Sequence, residues 1–288
     1  MSIFKQKNLG GTLCHALGQI SIAGSVAIIV AVAGIIHPLE AAPAEHARIS
    51  VQAAAGTYTI RFPREGLVFG GKLPGPAEHV AVANGSDALG QYQSTTFQWH
   101  QNAATLIGSI RSYRGRPCVL FSVKTTAPAP AADAVFPRLT RLPVMPYHLS
   151  YANHVMTPHT FKLAQTSTPW IFFNASRLTW VMSPASSAMV SQMTGNGVNL
   201  AADKLNPGIR NVPAGFSHGT LLVAGQGIEN TLDQWGRYLN KIRGVKRPGN
   251  QADVFLKYFG YWTDNGATYY YNYDKKLGYA GTLDKVYS

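Results

Sequence analysis

The chain has 288 residues, of which 46% are hydrophobic and only 13% are charged, and its formal net charge is +12. This composition excludes a disordered chain and favours a fold rich in β structure. The 25 Lys and Arg residues are scattered and form no run of five or more. No nucleic-acid partner is therefore expected.

The first 44 residues have the pattern of a secretory signal peptide. Lys5 and Lys7 precede an uncharged apolar segment, residues 20–36, and small residues including Ala42 and Ala44 follow it. This order predicts export to the periplasm or the medium. The alternative is that residues 1–44 remain as a membrane anchor and hold the protein outside the cytoplasm. This segment is the only membrane contact that the sequence predicts.

The cysteine and histidine content argues against a metal site. Cys14 lies in the targeting segment, which leaves Cys118 alone in an apolar run, where a buried core thiol is expected. His148, His154 and His159 lie close in sequence, but they lack the i, i+4 spacing of common zinc motifs. No metal and no cofactor is predicted.

Residues 45–226 are predicted to form an antiparallel β-sandwich. Residues 57–62 alternate between apolar and polar types, and turn signals such as Gly195-Asn196-Gly197 and Asn206-Pro207-Gly208 separate strand-like segments. Many short strands with almost no helical periodicity are typical of this architecture. The further candidate strands are residues 104–113, 118–124, 170–174, 178–183, 188–193 and 219–224.

Two glycine motifs near residue 220 do not indicate catalysis. Gly215-Phe216-Ser217-His218-Gly219 matches the G-x-S-x-G pattern of serine hydrolases, which needs a strand before the serine and a helix after it. Here Pro213 precedes the motif and a strand-like segment follows it. Gly225-Gln226-Gly227 lacks the third glycine of a dinucleotide loop. It is interpreted as a linker turn.

Residues 227–250 are predicted to form a linker helix and a connecting segment. Thr231 and Gln234 fit a capping box. Leu232, Trp235, Leu239 and Ile242 then recur at helical spacing up to a stop at Gly244. The expected helix covers residues 231–243. A second helix is expected to begin at Thr282.

The stretch from residue 254 to residue 274 carries the functional prediction. An apolar run, residues 254–262, predicts a strand that ends at Trp262 and is followed by the polar loop residues Asp264 and Asn265. Tyr269 and Tyr270 continue this loop. Aromatic rings cover the apolar faces of sugars, while carboxylate and amide groups bind sugar hydroxyls. The alternative is a simple turn with tyrosines that pack locally.

The junction between these two regions resembles a known family. The residues that carry the resemblance are Gly225-Gln226-Gly227-Ile228, Trp235-Gly236, Phe259 to Ala267, Tyr269-Tyr270-Tyr271 and Gly281-Thr282-Leu283. They resemble the glycoside hydrolase family of α-galactosidase and raffinose synthase (seed-imbibition type) relatives. The resemblance implies a mainly β fold, in which an antiparallel β-sandwich is followed by a linker helix and the first βα unit of an incomplete (β/α)8 barrel.

By this resemblance, residues 251–288 are the start of a catalytic barrel, and carbohydrate is the partner. Trp262 and Asp264 would bind the sugar at the mouth of the first strand. Retaining hydrolysis needs two carboxyl groups about 5–5.5 Å apart, and in such enzymes the pair comes from later barrel strands. Asp264 and Asp274 both lie in the first loop, so no catalytic residue is assigned. The chain is interpreted as an inactive N-terminal fragment of an exported glycoside hydrolase.

Two other readings stay open at this point. The first is a secreted, non-catalytic carbohydrate-binding β-sandwich in which Trp99, Trp170, Trp180 and the tyrosines of residues 269–273 provide stacking surfaces. The second is a cell-envelope structural protein that is held by an uncleaved apolar segment, residues 20–36.

Overall fold

The computed structural model describes residues 47–102, 104–152, 155–157, 168–249, 251–258 and 273–288. In these ranges the chain forms seventeen strands, one short 3-10 helix (Ala131–Asp133) and three α-helices. The strands are β1 Arg48–Gln52, β2 Thr57–Phe62, β3 Leu67–Lys72, β4 Glu78–Asp87, β5 Gly90–Gln101, β6 Ala104–Tyr113, β7 Cys118–Thr125, β8 Ala129–Pro130, β9 Arg138–Arg141, β10 Tyr147–Ala152, β11 Val155–Thr157, β12 Trp170–Phe173, β13 Leu178–Pro184, β14 Ser191–Gly195, β15 Ala201–Leu205, β16 Asn211–Val212 and β17 Ser217–Gln226. The helices are α1 Ile228–Ile242, α2 Val254–Lys257 and α3 Gly278–Tyr287.

Two large antiparallel sheets face each other. The six-stranded sheet has the order β1-β2-β3-β9-β15-β14, and the nine-stranded sheet has the order β11-β10-β12-β13-β17-β7-β6-β5-β4. A small third sheet pairs β16 with β8. The predicted mainly β, antiparallel sandwich is therefore confirmed.

Alternation along the strands explains the core between the two sheets. Along β2 the side chains of Tyr58, Ile60 and Phe62 are buried, while those between them point away from the core. From the other sheet, Trp180 stacks on Phe172 with ring centroids 4.2 Å apart. Each large apolar side chain that is fully buried in this way contributes roughly 1.5–3 kcal/mol to folding.

Helix α1 covers the outer face of the nine-stranded sheet. Its apolar side chains Trp235, Leu239 and Ile242 pack on a second cluster that includes Leu221 and Cys118. Cys118 is fully buried, as the sequence predicted, and burial raises the pKa of its thiol far above the ordinary value. A thiol in this state is inert.

Several predicted element boundaries are wrong, for identifiable reasons. Helix α1 begins at Ile228, so Thr231 lies inside it and donates a hydrogen bond to the Gly227 carbonyl. Thr282 likewise lies inside α3 and donates to the Gly278 carbonyl. A hydroxyl that satisfies a carbonyl four residues earlier in the chain is not a cap.

Two predicted strands also differ from the structure. The strand expected over residues 188–193 begins only at Ser191, because residues 188–190 form a turn. The strand expected over residues 254–262 begins instead as the short helix α2. A short apolar run does not distinguish strand from helix by periodicity alone. The continuation of this segment from Phe259 lies outside the described residues.

Candidate functional site at the helix–sandwich junction

The sugar-binding residues predicted from the sequence lie outside the described part of the chain. These are Trp262, Asp264, Asn265, Tyr269 and Tyr270, in the gap between Tyr258 and Tyr273. Their binding role therefore stays a prediction.

Asp274, at the far side of this gap, has a local structural role. Its Oδ1 accepts hydrogen bonds from the backbone N–H groups of Lys276 (2.9 Å) and Leu277 (3.4 Å). This is an Asx turn that leads into α3. The neighbouring Tyr273 ring packs on Tyr279, with centroids 4.9 Å apart.

A polar groove lies where α1 meets the end of the sandwich, and we call it the junction groove. It consists of two cavities of about 410 and 470 Å³ that share Arg64, Glu65 and Gln226. The turn between β2 and β3 supplies Arg64 and Glu65, and the last residue of β17 is Gln226. Helix α1 supplies the opposite wall, which consists of Asn230, Asp233, Gln234, Arg237 and Tyr238.

Two glycines position this wall. A Cβ atom on Gly225 would lie 2.7 Å from Thr231 Oγ1, so only glycine allows the first turn of α1 to approach β17 this closely. Gly227 has a φ of +86° and donates its N–H to the Arg177 carbonyl at 2.7 Å. Trp235 Nε1 donates to Ser183 Oγ at 2.7 Å one turn later. The turn predicted at Gly225-Gln226-Gly227 is therefore present, and it positions the first turn of α1 against the sheet.

The charged groups of the junction groove are of both signs. Burial is the largest cause that raises the pKa of the Glu65 carboxyl, and its own backbone N–H and Arg64 offset part of that rise. Asp233 pairs with Arg237 at 3.0 Å on the exposed side of α1. Carboxylate, amide and guanidinium groups on fixed elements can hold a ligand that is rich in hydroxyl groups.

A Ser-His-Asp chain of hydrogen bonds lies elsewhere, inside the sandwich. His218 Nε2 and Asp203 Oδ2 are 3.0 Å apart, and Thr220 Oγ1 donates to the same carboxylate oxygen at 2.8 Å. Ser186 Oγ lies 3.5 Å from His218 Nδ1 and accepts the Gly219 N–H at 2.8 Å. The distances resemble those of a hydrolase triad, but burial sets a different role.

Both partners of the His218–Asp203 pair are fully buried. Asp203 lies on β15 of one sheet and His218 on β17 of the other, so the network ties the two sheets together. Burial raises the pKa of the Asp203 carboxyl, although the hydrogen bonds from His218 and Thr220 lower it in part. Ser217, which the sequence motif identified, is exposed at the start of β17, not at a strand–helix elbow.

The proposed tryptophan stacking surfaces are wrong. Trp99, Trp170 and Trp180 each have 0% of their surface exposed. They lie on strands of the nine-stranded sheet and belong to the core cluster, in which Trp180 meets Phe69 of the six-stranded sheet edge-on. A sugar cannot reach them. Sequence alternation identified one face of each strand, but not that a second sheet covers that face.

The described residues contain no group of three His, Cys, Asp or Glu side chains placed to hold a metal ion. Of the histidine cluster, His148 packs its ring near Phe172, with centroids 5.8 Å apart. His154 and His159 lie outside the described residues. Within the same described ranges, no helix has both the length and the apolar character that a membrane span needs.

Comparison with known proteins gives only distant likenesses. No protein-family model and no curated protein sequence matches the chain. Among solved structures, the chain is similar to a glycoside hydrolase family 97 enzyme from Pseudoalteromonas sp. strain K8 in complex with panose, at a TM-score of 0.42 and 11% identity. A second variant of an enzyme of that family, from the same strain, gives a TM-score of 0.41 and 11% identity.

These likenesses cover 63% of this chain but only 34% of each enzyme, so the chain spans about a third of their length. Neither enzyme is described as an α-galactosidase or raffinose synthase. The finer family named from the junction sequence finds no support there.

Proposed function

We propose that this chain belongs to an exported glycoside-hydrolase-like protein, in which a sandwich and linker helix precede the start of a barrel, and that it binds carbohydrate without cleaving it. The observation that carries the proposal is the junction itself. Gly225, Gly227 and Trp235 belong to the sequence pattern that resembles glycoside hydrolases, and the same residues fix α1 on the sandwich. A sandwich, a docked linker helix and an aromatic, polar stretch follow one another in the order that the resemblance implies.

In this proposal the predicted strand end at Trp262 and the polar loop that the sequence predicts after it bind the sugar. The indole of Trp262 covers an apolar sugar face, and Asp264 and Asn265 accept and donate hydrogen bonds to hydroxyl groups. Tyr269 and Tyr270 extend this surface. Export rests on the basic start and the apolar segment of residues 1–44.

The described acidic residues decide which carboxyl groups an activity test has to examine. The chain has 13 Asp and Glu residues, and several of the described ones already have structural partners. Asp133 accepts hydrogen bonds from two neutral amides, and Asp203 is buried. Glu65 and Asp233 are two acids that line one described cavity. A hydrolysis assay therefore has to examine this pair as well as Asp264.

The binding test is calorimetric titration of the purified chain with panose, raffinose and a galacto-oligosaccharide. We expect saturable binding of at least one of them, and a loss of roughly tenfold or more in affinity for Trp262→Ala and for Asp264→Asn. Asp284→Asn, an exposed acid on α3, is the matched control and should bind like the parent chain. No binding of any of these sugars, or equal binding by all variants, contradicts the proposal.

The activity test uses aryl α-galactosides and aryl α-glucosides with the same preparations. We expect no turnover above that of a heat-denatured sample, because no carboxyl pair is assigned to catalysis. If the chain shows turnover and Asp264→Ala abolishes it, the proposal of binding without hydrolysis is wrong and the active site includes Asp264. If Glu65→Gln abolishes turnover instead, the proposal of binding without hydrolysis is wrong and the junction groove is the active site.

The export prediction has its own measurement. A cleaved signal peptide places the mature N-terminus among residues 41–47, which N-terminal sequencing of the secreted protein detects. A full-length chain in the membrane fraction would instead support the uncleaved anchor and the structural-protein reading.

A further inference from the structure

The hairpin of β4 and β5 continues beyond the part of the nine-stranded sheet that the other sheet covers. On the inner face of β5, Trp99 and Phe97 are almost fully buried, whereas Gln93 and Gln91 on the same face are exposed. Every residue of β4 except Gly85 is exposed, and Val82 exposes 61% of its surface. The core face of the sheet therefore becomes an open polar surface at this end.

Pairing places four polar side chains together on that surface. Asn84 lies opposite Gln93 and Ser86 opposite Gln91 in the register of the two strands. Side chains two residues apart on a strand share a face, so two rows of amide and hydroxyl groups face the same way. They line a cavity of about 620 Å³, and Arg114 from the turn after β6 lines it too.

The Tyr92 ring lies on the opposite face of the same hairpin, because it is one residue away from Gln91 and Gln93 on β5. A Cβ atom on Gly85 would lie 2.6 Å from Tyr92 Oη, so glycine is required for the Tyr92 ring to lie across β4. The Arg111 guanidinium lies over the same ring at 4.7 Å, and the Tyr113 ring meets it edge-on at 5.7 Å. These contacts fix the Tyr92 side chain across the two strands that carry the cavity.

The charge that lines the cavity is positive. Asp87, at the end of β4, has its Oδ2 occupied by Arg111 (3.1 Å) and by the Tyr113 hydroxyl (2.7 Å). Arg114 is exposed, and in the described part of the chain its guanidinium has no ion pair and no hydrogen-bond partner. No carboxylate lines the cavity. An anionic ligand would meet one unpaired guanidinium and no opposing charge.

A buried hydroxyl on β6, next to Gln93, has no hydrogen-bond partner among the described residues. Ser112 on β6 pairs with Gln93 and has 1% of its surface exposed. Its Oγ makes no hydrogen bond within the described residues. Native proteins leave few such groups unsatisfied, and this one lies next to the amide that lines the cavity.

We propose that this hairpin cavity binds a short acidic oligosaccharide. The carboxylate of a uronate residue pairs with the planar fork of Arg114, which matches carboxylate geometry. The sugar hydroxyls exchange hydrogen bonds with Asn84, Gln91 and Gln93, because each amide offers donors and an acceptor. The cavity volume lies within the range of small-ligand sites, about 300–1,000 Å³. This site shares no residue with the loop of the proposed function, and neither proposal depends on the other.

The test is titration of the purified chain with trigalacturonate, with a neutral galactotriose and with inorganic sulfate. The protein is made in bacteria, because Asn84-Gly85-Ser86 is an N-glycosylation signal. We expect trigalacturonate to bind more tightly than galactotriose, and its affinity to fall as salt rises. Arg114→Gln should weaken trigalacturonate binding roughly 10- to 100-fold, while Gln93→Ala should weaken it less.

Arg210→Gln is the matched control, because Arg210 is also exposed and lies away from the hairpin. It should leave the affinity unchanged. Equal affinity for trigalacturonate and galactotriose would overturn the assignment of an acidic ligand. Sulfate that binds as tightly as trigalacturonate would reduce the site to a general anion site. An Arg114→Gln variant that binds like the parent chain would remove the hairpin cavity from consideration.

Discussion

At the scale of single residues, the buried pair of Asp203 and His218 shows how burial decides chemistry. The two side chains lie on different sheets and fifteen positions apart in sequence, so no short sequence motif predicts their contact. The sequence motif pointed one position away, to Ser217, which faces solvent. Because neighbours on a strand face opposite ways, that single step separates a surface hydroxyl from a core network.

Asp203→Asn tests the cost of this buried acid. Burial raises the pKa of the Asp203 carboxyl in the folded state. The stability that the protonated acid contributes is therefore full below its unfolded pKa of about 4 and is lost as pH rises through the folded value. The amide cannot ionise, and its oxygen still accepts from Thr220. Urea unfolding should therefore show the parent chain losing stability relative to the variant from pH 4 to pH 7, by at most about 1.4 kcal/mol per pH unit.

The control for that experiment is Asp284→Asn, an exposed acid for which the difference should not change with pH. His218 is the titratable side chain that faces Asp203. If the parent chain instead gains stability relative to Asp203→Asn as pH rises, the His218 contact outweighs burial and the prediction is wrong.

At the scale of elements, α1 was predictable and its start was not. The helical spacing of Trp235, Leu239 and Ile242 identified the helix and the face that packs. Its first turn depends on Gly225 of β17, which leaves room for Thr231, and on Gly227, which donates its N–H to the Arg177 carbonyl. The capping-box pattern at Thr231 predicted a later start. Such a pattern depends only on residues close in sequence, whereas the true start depends on the close approach of α1 to β17.

Two glycine substitutions in this region should have opposite effects. Gly236 lies within α1 and has no atom within 4 Å of an added Cβ, so Gly236→Ala should stabilise the chain by about 0.5–1 kcal/mol through helix propensity. Gly225→Ala should destabilise it by roughly 1–3 kcal/mol, because its Cβ would lie 2.7 Å from Thr231 Oγ1. Chemical denaturation measures both. Equal effects of the same sign would contradict the close packing of α1 on β17.

At the scale of the whole molecule, the sandwich and α1 carry both hydrophobic clusters. Among the side chains that the structure describes after residue 249, none belongs to either cluster. Residues 254–257 form a short helix instead of the predicted strand, and the turn at Asp274 is bonded to α3 through the Thr282 hydroxyl. The stability of the sandwich should therefore be independent of the segment that carries the predicted sugar loop.

A chain that ends at residue 249 should keep the folded sandwich. We expect its β-rich circular dichroism spectrum to persist and its melting temperature to lie within about 3 °C of the longer chain, because roughly 1 kcal/mol corresponds to a few degrees in a domain of this size. The comparison chain ends at residue 227 and lacks α1. It should melt at a clearly lower temperature, since it exposes the cluster that contains Leu221 and Cys118. Loss of folding at residue 249 would show that later residues complete the core.

The sequence by itself determined the composition class, the strand-rich sandwich, the isolated buried Cys118 and the presence of α1. These features follow from residue counts and from the spacing of apolar residues within short segments, and neither depends on contacts with distant parts of the chain. Only the tertiary structure decided that Trp99, Trp170 and Trp180 are core residues, that Asp203 meets His218, and that Asn84, Gln93 and Arg114 line one cavity. The physical reason is that a period of two separates the faces of a strand, whereas the partner that covers each face is set by pairing between residues far apart in the chain.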